Sequence, residues 1–123
     1  MAGGESPAAE ARFVRQHATV GGATDLFFLR IEAHPKPSHP ERARLGGAWA
    51  ACWVATDDAT VAESNARGLL ERLHWDAESP EESYPVDRSR YRGDPTSLAR
   101  FDQALSDGVV VDLHTWPLGA SEP

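Results

Sequence analysis

Between residues 26 and 34 the chain alternates: Phe27, Leu29, Ile31 and Ala33 fall on one side, Phe28, Arg30, Glu32 and His34 on the other. A period of two is a strand signal, with one face on the core and the other largely open, as in an antiparallel sheet. Residues 48–55 alternate too, but Trp49, Ala51, Trp53 and Ala55 oppose Ala48, Ala50, Cys52 and Val54. A strand that is apolar on both faces belongs near the middle of a sheet. The last strand, residues 109–116, turns Val109, Val111 and Leu113 one way and Val110, Asp112, His114 and Trp116 the other.

Two stretches follow the helical period instead. Ala62, Ala66, Leu69, Leu70 and Leu73 form an apolar stripe that predicts a helix ending near His74. Asp57, Asp58 and Thr60 open it, and Thr60 with Glu63 has capping-box spacing. Glu63 and Arg67, four apart, support each other on its surface. In the second helix, Asp94 is the N-cap, Pro95 takes the first helical position, Leu98, Phe101 and Leu105 face the core, and Asp107-Gly108 stops it.

The remaining segments are weaker. Residues 35–44 hold three prolines and predict a loop. Residues 75–78 and 83–88 are two short strand candidates separated by a turn at Ser79–Glu82. Residues 11–20 read as a short helix or an extra edge strand. The domain organisation expected is a flexible tail at 1–10, one domain over 11–116 and a tail at 117–123.

The sum is an α+β fold: a two-layer sandwich, with an antiparallel or mixed sheet of four or five strands and two helices on one face. If residues 75–78 and 83–88 are separate strands, residues 47–116 run β-α-β-β-α-β, and the order resembles the ferredoxin-like split βαβ. A hairpin between 26–34 and 48–55 would break that order, although sequence neighbours usually pair.

Composition narrows the function classes. The 123 residues suit one domain that needs no disulfide or metal to fold. The net charge of −7 is uneven: residues 57–123 carry 14 acidic and 6 basic side chains, against 5 and 6 before them. The acidic half repels phosphate backbones and attracts basic surfaces, so nucleic acid is not an expected partner. No apolar run reaches the ~20 residues of a membrane span, and the amino terminus lacks a secretory pattern. The single cysteine, Cys52, fits a reducing compartment, and the cytoplasm is the expected location. With Lys36 the only lysine beside many Ala, Gly and Arg residues, the composition fits a bacterium with a GC-rich genome.

The candidate binding residues are the two polar strand rows: Arg30, Glu32 and His34, with Asp112, His114 and Trp116. If helices cover the other side, these rows share one open face, where a His–carboxylate pair has general-base chemistry. Their plainer reading is a solvated face with cross-strand ion pairs. His34, His39 and His114 offer imidazoles, but at no zinc-motif spacing, so no metal and no cofactor are expected. Cys52, in AACWV, has no nearby positive charge and reads as a buried structural thiol. Trp49, Trp53, Trp75 and Trp116 read as core, or as the lining of a pocket or interface. Arg88, Arg90 and Arg92, near Tyr91, read as partners of Glu78, Glu81 and Glu82 across a turn rather than as a nucleic-acid grip.

P-loop, dinucleotide-turn, Cys-x-x-Cys, His-Glu-x-x-His and Gly-x-Ser-x-Gly motifs are all missing. The favoured expectation is a non-enzymatic binding or interaction protein, of immunity or regulatory type, that uses the sheet face. The alternatives are a small-molecule site or minor enzyme built on Glu32, His34, Asp112 and His114, and a self-associating homodimer.

Overall fold

A computed structural model describes residues 26–120 and residue 122. The expectations for residues 1–10 and 11–20 lie outside the described residues, as does part of the tail expected at 117–123. In chain order the elements are β1 (Leu26–Pro35), β2 (Leu45–Val54), α1 (Ala59–Arg72), β3 (Trp75–Val86), a 3-10 turn (Arg88–Tyr91), α2 (Pro95–Asp107) and β4 (Val109–Pro117).

The four strands form one antiparallel sheet in the order β3-β1-β2-β4. β1 and β2 form a hairpin in which Leu29 faces Cys52 and Ala33 faces Ala48. The doubly apolar strand is central, as its pattern requires. Fold class is as the periodicities indicate, α+β, with the sheet and α1 as the layers of a sandwich.

Three expectations are corrected. First, residues 75–86 are one strand. Ser79–Glu82 is not a turn; the two extra residues there are absorbed as bulges against β1, on either side of the Ile31–Pro80 pair. β3 is an edge strand, where proline needs no ladder donor on its outer side. With three strands after the hairpin's first, and the hairpin in place, the β-α-β-β-α-β order over 47–116 does not arise. Second, the two helices lie on opposite faces. Ala62, Ala66, Leu69 and Leu70 of α1 pack with Leu29, Ile31, Ala50, Cys52 and Val54. Phe101 and Ala104 of α2, with Tyr91, pack with Leu26, Trp53 and Val110. Adjacent residues of β2, Cys52 and Trp53, thus serve different cores, because successive strand side chains point to opposite sides. Third, the α1 N-cap is Asp58, not Thr60: Asp58 Oδ1 accepts from the backbone N–H of Thr60 at 2.8 Å and of Val61 at 3.1 Å.

Other local signals are realised as written. Glu63 and Arg67 pair at 3.0 Å. Asp94 caps α2 by accepting from Ser97 N–H at 3.1 Å, with Pro95 opening the helix. Gly108 ends it at φ 99°, a conformation that costs glycine nothing. Leu69 and Leu70 are essentially unexposed; burying each contributes about 1.5–3 kcal/mol.

Candidate functional site

The phase of β1 and β4 puts the two polar rows on the same side of the sheet, the side opposite α1. They are not neighbours, because β2 runs between them. Glu32 pairs with Trp49, which pairs with His114; Arg30 pairs with Ala51, which pairs with Asp112. α2 covers this face only at the end formed by Phe28, Trp53 and Val110. The other end is uncovered by either helix.

The six side chains have different fates. Asp112 accepts from Arg100 Nε of α2 at 3.1 Å, which marks the edge of the covered end. Trp116 is 7% exposed and lies flat over Gly46 and Gly47, where an added Cβ would meet the indole at 2.8 and 2.4 Å. The glycine pair is part of β2, and it makes room for that ring. His114 is exposed on edge strand β4. Arg30 lays its guanidinium 3.9 Å over the Trp49 ring, a cation–π contact. The indole Nε1 beneath is buried and unpaired.

Glu32 and His34 converge instead with Glu78 of β3, a residue the sequence reading assigned to the arginines at 88–92. His34 Nε2 lies 3.1 Å from Glu32 Oε2 and 3.1 Å from Glu78 Oε2. His34 Nδ1 makes a long contact, 3.4 Å, to the carbonyl oxygen of Gly46. The three donor atoms lie within 4.8 Å of one another. Glu32 is the most buried, with its side chain 17% exposed, against 42% for His34 and 55% for Glu78. Its carboxyl is held above the usual range, first by burial and then by the charges of Glu122 and Glu78, with His34 opposing. Glu78 was legible in part. It alternates with Trp75 and Ala77 and so shares their strand's polar side, but nothing local says that β3 docks beside β1.

The small-molecule site built on Glu32, His34, Asp112 and His114 does not assemble. Two strand spacings and a stagger of two residues separate His34 from His114, about 12 Å. A cleft of about 310 Å³ beside His34, lined also by Pro35, Arg42, Leu45, Gly46 and Leu118, does not include His114. His39 does not join them: its ring packs edge-on to Trp75 at 4.9 Å, and its Nδ1 accepts from Glu41 N–H. A larger cleft, about 510 Å³, opens at the far end between Leu26, Thr56, Val86 and Asp87.

The remaining candidates are structural. Cys52 is fully buried, and burial pushes its thiol pKa up, away from reactivity. Arg88 does not pair with Glu78, Glu81 or Glu82; it forks onto Asp102 of α2 at 3.1 and 3.0 Å. Arg90 lies 4.7 Å over the Tyr84 ring. With no turn at Ser79–Glu82, Glu78 meets His34 rather than the arginines. No helix among the described residues is long and apolar enough to cross a membrane.

Compared with known proteins, the chain matches no family model, no curated sequence and no solved structure.

Proposed function

We propose that this is a non-enzymatic binding protein, of regulatory or immunity type and cytoplasmic, that receives a basic protein surface on the end of its polar sheet face that neither α1 nor α2 covers. The observation that carries this reading is the continuity of that face with an acidic edge. β3 presents Asp76, Glu78, Glu81 and Glu82 to solvent with no lysine or arginine between them. Beside it lie Glu32 and the Arg30–Trp49 stack. Carboxylates steer a cationic partner over the Debye length, while a half-buried indole offers the apolar anchor such interfaces favour. The segregation of charge supports the same partner, since 14 of 19 acidic residues lie from residue 57 onward.

The test begins with the complex isolated from cells that make the protein, rebuilt from the two purified components. The expected partner is basic, and its affinity falls as salt rises. Glu78→Lys/Glu81→Lys/Glu82→Lys should abolish the complex, while Arg72→Ala, on the other face, should leave it intact. A complex indifferent to the charge reversal overturns the reading. So does a chain that elutes alone at every ionic strength, or as a homodimer by light scattering.

A further inference from the structure

His34 faces Asp76 and Ala33 faces Ala77 across β1 and β3, and the next residue on each strand is Glu32 and Glu78. The ladder is broken at these residues: the next pair is Ile31 with Pro80, so β3 carries one extra residue there. Bulges of this kind re-aim side chains and recur beside functional sites. At this bulge the carboxylates of Glu32 and Glu78 both reach His34.

His34 completes the group, and its hydrogen bonding narrows what lies at the centre. The Gly46 carbonyl can only accept, so the proton belongs on Nδ1. Nε2 then turns toward both carboxylates, 3.1 Å from each. A bare lone pair facing two anions is repulsive, so a proton or a metal ion belongs between the three atoms. A proton on Nε2 can lie along one of those two lines but not both, and it leaves the cluster with an uncompensated negative charge. Arg30, the adjacent cation on this face of β1, is committed to Trp49. A divalent ion meets all three donors at once and neutralises both carboxylates.

We propose that Glu32, His34 and Glu78 bind a divalent transition-metal ion, with water in the remaining positions. The spacing suits it: around an ion bound at about 2.0–2.1 Å, tetrahedral donors stand about 3.3 Å apart, close to the two separations of 3.1 Å. The imidazole selects zinc-like ions over calcium or magnesium, which take oxygen ligands in larger number. The Nδ1 contact to a backbone carbonyl is the outer support that metal-bound histidines ordinarily carry. With His34 and Glu78 each about half exposed, the ion is reached from solvent. The site does not depend on what docks beside it.

Titrating the full chain with ZnCl2 by calorimetry in a non-chelating buffer at neutral pH should show one ion per chain at micromolar affinity. Glu78→Gln and His34→Ala should each weaken binding at least tenfold with the far-ultraviolet circular dichroism unchanged, and His114→Ala should not. Should a variant misfold, the wild-type chain still answers: zinc should move the imidazole resonances of His34 and the backbone amides of residues 32 and 78 in NMR spectra, not those of His39 or His114. Binding weaker than 100 μM, tighter binding of Mg2+ or Ca2+ than of Zn2+, or zinc shifts centred on another histidine would each overturn the assignment.

Discussion

Trp53 Nε1 donates to the Tyr91 hydroxyl at 2.9 Å, and both side chains are buried. The bond ties the central strand to the 3-10 turn that leads into α2. Tyr91 also meets Phe101 edge-on, with ring centroids 6.1 Å apart, so one residue links sheet, turn and helix. This contact helps hold α2 on the face that α1 leaves free, and therefore decides how much of the polar face stays open. Tyr91→Phe keeps the ring and leaves the indole N–H without its acceptor. The expected cost is about 1–3 kcal/mol, seen as a lower urea midpoint at unchanged m-value.

Gly47 has no room for a side chain: a Cβ there would sit 2.4 Å from Trp116 Cζ2. Gly47→Ala should cost about 1–3 kcal/mol by overpacking and push Trp116 toward solvent, shifting its fluorescence to the red. Adding Trp116→Ala should make the Gly47→Ala cost much smaller, because the clash partner is gone. Equal costs in both backgrounds would refute the contact.

Cys52 lies in the α1-side core with its thiol pKa raised by burial. In the folded chain it should resist a thiol reagent such as DTNB at pH 8, and react stoichiometrically once urea unfolds the protein. Rapid reaction without denaturant would show that the core opens locally.

Arg88 holds the Asp102 carboxyl below its ordinary range, through the side-chain hydrogen bond first and charge second, with burial opposing. A carboxyl whose pKa is lower in the folded state stabilises the fold above its unfolded pKa, and that contribution is lost as pH falls through the folded value. Wild type should therefore exceed Asp102→Asn in stability at neutral pH, and the gap should close as pH drops below about 4. The pair is exposed, so the gap is small and should shrink in high salt. Thermal unfolding of both chains between pH 2 and 7 measures it.

What lay in the sequence was what neighbours along the chain decide. Alternation set the phase of β1, β2 and β4, and so grouped Arg30, Glu32 and His34 in one polar row and Asp112, His114 and Trp116 in another. The Asp94-Pro95 start and Gly108 stop framed α2, and the spacing of Glu63 and Arg67 made their pair. Each of these is an interaction over four residues or fewer, or a backbone preference. Tertiary structure alone decided the rest. An apolar stripe says that a helix has a buried face but not which side of the sheet receives it, so α1 and α2 were free to part. The bulges of β3 appear only when its residues are laid against β1, and the meeting of His34 with Glu78 spans 44 residues. Strand order and register, which are set by global packing of the two cores, turned two separate polar rows into one acidic imidazole cluster and one covered end.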